Sequence, residues 1–280
     1  MPELFGFDAY APREIAALVE NVGIRKTRLP LLQTLMLGML AGAFIGLGAL
    51  YSTLVASDAS LGFAASRLAA GVCFSLGLLL VVVAGAELFT GNNLLAMACA
   101  AGKISALELA RNWVLVCIAN FAGAAGLAAL VYLSGHWEMN SGALGQAYLK
   151  IAAQKAQLEP WRAFLLGVLC NILVCLAVWM AMAGRTVTDK FVAIVVPVSA
   201  FVAAGFEHSI ANMYYFPLAL LLKWGGAPLP AGAEAVSIAA MFGNLGPVIA
   251  GNLIGGSVLV ALVYWAIYLR AARPGTGSGA

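Results

Sequence analysis

Charge is what this chain has least of. Asp, Glu, Lys and Arg make up 10% of its 280 residues, against 63% hydrophobic ones, where a typical soluble domain carries roughly 25% charged residues. Too little polar surface is left to cover a water-soluble globule. The net charge of +3 is small and its bases are scattered, so no nucleic-acid footprint is present. Histidine occurs only twice, and the five cysteines (Cys73, Cys99, Cys117, Cys170, Cys175) form no CxxC pair. Lying in or beside apolar segments, they read as small core residues rather than metal ligands or a disulfide framework. No HExxH or GxSxG occurs, so neither an enzyme nor a cofactor is expected. The first thirty residues mix four acids with four bases and lack the apolar core of a cleavable signal peptide.

What the chain does have is long apolar runs at bilayer-spanning length. Six can be read, near Leu31–Val55, Leu68–Cys99, Trp113–Leu133, Ala163–Ala183, Phe191–Leu222 and Val248–Leu269. The second and fifth exceed the ~20 residues a simple span needs and carry polar interruptions, so both are expected to be broken. The sequence divides into a cytoplasmic amphipathic helix within 1–29, a six-span domain over 30–270 and a disordered cytoplasmic tail over 271–280. The N-terminal helix is expected to start near Pro12 and stop at Gly23. With an even number of spans, both termini share a side. Ten of the 15 Lys and Arg residues fall there, which places the termini in the cytoplasm of a multi-pass protein.

The chain repeats itself. Gly85-Ala-Glu87-Leu-Phe-Thr90-Gly-Asn92 and Gly205-Phe-Glu207-His-Ser-Ile-Ala-Asn212 share G-x-E-x-x-x-x-N, 120 residues apart. Asn112, Asn120 and Gly123 are spaced like Asn244, Asn252 and Gly255, 132 residues on. Spans one and four share only Leu37-Gly38-Met39-Leu40 against Leu166-Gly167-Val168-Leu169. A three-span unit used twice enters the membrane from opposite faces, and interrupted helices at matching places in such halves point to a transport site. Glycines four apart (Gly38, Gly42, Gly46; Gly251, Gly255) mark close helix packing.

Glu87, Glu207 and His208 are the ionisable residues set deepest in apolar sequence, where a charge must face a cavity or a partner. The two glutamates are repeat equivalents. They are expected to be architectural, their carboxylates taking amides freed at the helix breaks. His208 has Leu88 as its counterpart, so the repeat does not require it, and a transport role is expected for it. Thr90, Asn92, Asn93 and Asn171 could line a pore with His208 or bridge helices.

With these residues in view, ELFTGNN, CNILVCLAVWM, VPVSAFVAAGFEHSIANM and the GN-x-IGG of span six resemble the formate/nitrite transporter family, closest to its formate branch. The resemblance runs from Arg13 to Arg270. It implies an all-α membrane protein with an inverted 3+3 repeat, aquaporin-like, assembled as a homopentamer with a pore in each subunit of a bacterial or archaeal cytoplasmic membrane. It implies His208, Thr90 and Asn171 as pore residues, with Glu207 the acid before the histidine. The same alignment sets Leu78, Leu88 and Phe89 at a cytoplasmic-side constriction, and Phe74, Val174 and Phe201 at a periplasmic one. Lys155 falls at the outer vestibule, and a loop over Thr90 to Gly102 shapes the inner side.

A small monovalent anion is thus the expected cargo: formate first, nitrite or hydrosulfide as alternatives, with protons carried through His208. Without a paired Asn-Pro-Ala motif or paired pore histidines, water, glycerol and ammonium channels fit less well.

Overall fold

The computed structural model describes residues 9–270; the tail assigned to 271–280 lies outside them. In lipid a backbone has no water to bond, so apolar runs of this length fold as helices that satisfy their own N–H and C=O groups. Six described helices are long and apolar enough to cross a membrane: Leu31–Ala56, Phe63–Gly85, Ala106–Leu133, Pro160–Ala183, Val187–Ala204 and Ile238–Tyr268. In chain order the elements are α1 (Pro12–Thr27), α2 (Leu31–Ala56), α3 (Phe63–Leu79), α4 (Ala96–Ala100), α5 (Ala106–Leu133), α6 (Ala143–Ala156), α7 (Pro160–Ala183), α8 (Val187–Ala204), α9 (Ser209–Trp224), α10 (Ile238–Leu253) and α11 (Val263–Tyr268). Wider helical turns at Leu80–Gly85 and Ile254–Leu262 extend α3 and join α10 to α11.

Both expected breaks are present. Span two leaves its helix after Gly85 and resumes in a 3-10 turn at Gly91–Leu95 and then α4; span five stops at Ala204 and resumes at Ser209. Gly85 and Gly205 take positive φ, +89° and +77°, a region open to glycine because it has no Cβ.

Several boundaries differ from the expectation. Helix α1 continues through Gly23 to Thr27: a Cβ on Gly23 would lie 3.1 Å from Ala98 Cβ, so this glycine makes room for α4 rather than stopping the helix. Span six begins at Ile238, ten residues before the expected Val248, because Pro247 sits inside α10 instead of opening it. Spans two, three, four and five also begin earlier, at Phe63, Ala106, Pro160 and Val187, where charged residues in the first two turns (Arg67; Glu108 and Arg111; Arg162; Asp189 and Lys190) hid the helix start. Ser105 caps α5 and Thr186 caps α8, each accepting a backbone N–H three residues on.

Close packing of α2 with α5, and of α7 with the wide turns that continue α10, rests on paired glycines. A Cβ on Gly123 would fall onto the Met39 carbonyl, and one on Gly255 onto that of Val168. Met39 and Val168 stand 129 residues apart, so the contact occurs once in each half. Gly123→Val and Gly255→Val should each abolish detergent-stable protein, whereas Gly62→Ala, with open space around it, should melt like the parent. Size-exclusion yield and a thermal-shift series check this.

Candidate functional site

Each break exposes backbone groups at membrane depth, and the two halves satisfy them in the same way. Glu87 N donates to Leu37 O at 3.2 Å, and Glu207 N to Leu166 O at 3.3 Å. Asn120 Oδ1 accepts from Phe89 N (2.9 Å) while its Nδ2 donates to the carbonyls of Gly38 (2.7 Å) and Glu87 (2.9 Å). In the second half, Asn252 Oδ1 accepts from Ser209 N (3.0 Å) while its Nδ2 donates to Gly167 O (2.8 Å) and Glu207 O (3.0 Å). The Leu-Gly pairs of spans one and four are therefore the matching acceptors of this clamp, which explains a similarity too short to carry weight alone.

One expectation is corrected here. The freed amides of Phe89 and Ser209 go to asparagines on spans three and six, not to the Glu87 and Glu207 carboxylates. Those carboxylates instead accept side-chain donors. Glu87 takes Asn92 Nδ2 at 2.7 Å on Oε2 and Lys26 Nζ at 3.1 Å on Oε1. Glu207 takes Asn212 Nδ2 at 2.7 Å on Oε2 and Lys155 Nζ at 2.7 Å on Oε1. Asn112 and Asn244 accept the other hydrogen of those amides, at 3.0 and 2.7 Å. Lys26 and Lys155 lie 129 residues apart, as do Gly38 and Gly167. The repeat thus includes α1 and α6 as well as the spans, and each amphipathic helix sends a lysine to its half's buried glutamate. Sequence reasoning missed Lys26; extending the 129-residue offset upstream from the Leu-Gly pairs would have found it.

The halves then diverge. Lys26 also donates to Asn92 Oδ1 at 2.8 Å, but the equivalent Asn212 Oδ1 is buried without a partner. Beside Glu207, His208 caps α9: its Nδ1 accepts the Ala211 N–H at 3.1 Å. An accepting Nδ1 carries no proton, so Nε2 holds the hydrogen of the neutral ring. Nε2 lies 3.1 Å from Thr90 Oγ1, to which it donates. A residue of each break is thereby joined across the centre. The Thr90 carbonyl accepts from Asn171 Nδ2 at 3.2 Å. Asn171 also reaches Asn93 Oδ1 and Asn252 O, both at 2.7 Å, tying the halves together, while its own Oδ1 is buried and unpartnered.

Two cavities open toward this centre. One of about 900 Å³ is walled by α1 and lined by Lys26, Leu78, Glu87 and Leu88. The other, about 340 Å³, is walled by α6 and lined by Lys155, Phe74, Phe201, Glu207 and His208. Phe201 stacks on His208 with centroids 5.9 Å apart, and Phe74 meets Phe201 edge-on at 5.8 Å. Of the residues assigned to constrictions, Leu78 and Leu88 therefore stand at the first cavity and Phe74 and Phe201 at the second. Phe89 and Val174 are buried and line neither. Thr90 and Asn171 are fully buried between them. Among the described residues no cluster of metal-ligating side chains occurs.

A six-span helical membrane protein, made of two inverted halves whose broken helices meet at a polar centre between two cavities, is the architecture of a transport protein. The sequence pattern of the family "Formate/nitrite transporter" matches residues 13–266. The formate channel FocA of Escherichia coli (strain K12) is 39% identical over 274 residues, covering 94% of this chain and 96% of its own. A solved pentameric formate channel with formate bound superposes with a TM-score of 0.79 at 38% identity, covering 86% of this chain and 98% of its own. A further solved ion channel of the family gives a TM-score of 0.80 at 30% identity, over 91% and 98%. This chain belongs to the formate/nitrite transporter family, and is a multi-pass membrane channel protein.

Stranding a buried donor or acceptor costs about 1–3 kcal/mol for each group. Asn120→Ala and Asn252→Ala each strand one N–H and two carbonyls, so both should lower the melting temperature in detergent by a similar, large amount. Asn→Asp at either site keeps the acceptor but sets a charge against two carbonyls, and should be at least as damaging in the same melting assay.

Proposed function

We propose that this chain passes small monovalent anions, formate first, across a bacterial or archaeal cytoplasmic membrane as a homopentamer with one pore per subunit. The observation that carries the reading is the His208–Thr90 pair, buried between two cavities whose walls carry Lys26 and Lys155. The formate-channel relatives and the pentameric, formate-bound neighbour support the cargo and the assembly. The excess of Lys and Arg on the terminal side supports cytoplasmic termini, so the α1-walled cavity opens inward and the α6-walled one outward.

Crossing the apolar barrier as a bare anion costs many kcal/mol. In this reading Lys155, paired to Glu207, and the positive potential around it gather the anion. Phe74 and Phe201 with Val174 form the outer constriction, and Leu78, Leu88 and Phe89 the inner one. Between them Thr90, Asn171 and His208 offer hydrogen bonds in place of water. A small carboxylic acid has a pKa of roughly 3–4, so at neutral pH the anion needs a proton donor to cross as the neutral acid.

The geometry limits how His208 serves. A neutral ring with its hydrogen on Nε2 can donate a hydrogen bond but cannot release that proton. Proton delivery requires imidazolium, whose Nδ1–H would displace the Ala211 N–H and break the α9 cap. His208→Ala should reduce formate flux in proteoliposomes about a hundredfold, the lower end of the range for a positioned proton-transfer group. His208→Asn is the sharper variant, because its Oδ1 can keep the cap while no titratable group remains. It should fold normally and lose the rise in flux as pH falls. An unchanged pH profile in His208→Asn would refute proton coupling through this residue. Parallel fluxes of nitrite and hydrosulfide decide the cargo, and a clear preference for either over formate would replace formate in this reading.

A further inference from the structure

Lys155 shares the outward cavity with a second cation. Arg67, in the second turn of α3, lines that cavity together with Phe206 and Glu207. Its Nε donates to Ala203 O and its Nη2 to Val202 O, both at 2.9 Å. These are carbonyls of the last turn of α8, just before the break. A Cβ on Gly205 would lie 2.8 Å from Arg67 Nη2, so the glycine that permits the turn also leaves space for the guanidinium.

Charge separates Arg67 from the other cations of the two cavities' buried pairs. Lys26 is paired with Glu87 and Lys155 with Glu207, so each of those units is close to neutral. The partners of Arg67 are neutral carbonyls, and among the described residues it makes no ion pair. Its charge is left whole at the mouth of a low-dielectric cavity, where field lines are concentrated.

Stereochemistry leads to the same group. The α8 carbonyls use the Nε hydrogen and one on Nη2, leaving the Nη1–Nη2 edge of the planar fork. That edge is the one that matches a carboxylate by two parallel hydrogen bonds. The repeat does not demand an arginine either: 120 residues on stands Val187, and the first break is built without such a residue.

We propose that Arg67 is the docking group of the outward cavity, receiving a small monovalent carboxylate or oxyanion on its free guanidinium edge before the anion passes Phe74 and Phe201. The inference rests on the anion-channel reading above, and assigns the uncompensated charge of the mouth to Arg67, with Lys155–Glu207 holding the break beside it.

Two measurements test it. In oriented proteoliposomes, Arg67→Gln should raise KM for formate entering from the outward side about tenfold at low salt with little change in kcat. The effect should shrink as ionic strength rises. Arg67→Lys should restore most of the loss. If Arg67 only caps α8, Arg67→Lys would fail like Arg67→Gln, because an ammonium lacks the fork, and the defect would ignore salt; that result overturns the proposal. The second measurement needs no transport. In a background with Cys73, Cys99 and Cys117 replaced by serine, Ser66→Cys places a thiol in the same cavity. It should react faster with an anionic than with a cationic methanethiosulfonate reagent, and formate should slow the anionic one. Arg67→Gln should remove both preferences; their persistence overturns the docking role. If Arg67→Gln removes both preferences but the parent protein passes no formate in the flux assay, the formate-channel reading is refuted while the docking group stands.

Discussion

Interrupting a helix inside a bilayer frees backbone N–H and C=O groups that no water can satisfy, and the rest of this protein is arranged around answering that cost. The answer is one asparagine per break. Asn120 and Asn252 each accept one amide hydrogen and donate to two carbonyls, using an amide side chain because it alone offers acceptor and donors together without charge. Since each clamp sits on a neighbouring span, it also fixes where α5 lies against α2 and α10 against α7. The glycines that let Met39 and Val168 carbonyls approach so closely follow from the same constraint.

The buried glutamates form the second layer. A carboxylate at this depth is tolerated only with its oxygens filled, and each has an asparagine amide on one oxygen and a lysine ammonium on the other. The lysines arrive on α1 and α6, which are polar enough to lie outside the spans and apolar enough to pack beneath them. The amphipathic N-terminal helix is therefore part of the repeated unit. It is held through Lys26, through Gly23 against Ala98, and through an ion pair between Glu20 and Lys103.

In the proposed reading, function resides where the twofold pattern fails. His208 replaces Leu88, Arg67 replaces Val187, and the lysine that fills both acceptors on the α1 side fills only one on the α6 side, leaving Asn212 Oδ1 unpartnered. Symmetric positions hold the scaffold because both breaks pose the same hydrogen-bonding problem. The asymmetric ones are those the proposal assigns to the permeant anion, and the two cavities beside them differ in volume and in lining.

Composition and hydropathy were enough to establish an all-helical membrane protein with six spans, since apolar runs of that length leave the backbone no other solution. The repeat in Glu87 and Glu207 and in six asparagines (Asn92, Asn112, Asn120 and Asn212, Asn244, Asn252) was also legible in the sequence, because identical backbone problems select identical side chains at fixed spacing. Helix starts at Ala106, Val187 and Ile238 did not, as a capped polar first turn or an internal proline reads as loop until the hydrogen bonds are seen. Which group each asparagine or glutamate bonds was likewise out of reach: apart from the Asn92–Glu87 and Asn212–Glu207 pairs, five residues apart, the bonds that clamp the breaks join residues 20 to 89 apart and carry no local signal. Arg67 is the clearest case. A lone arginine at a span's edge looks like a solvated flank, and only the fold, by bringing it to the end of α8 with neutral partners alone, makes it an uncompensated charge at a cavity mouth.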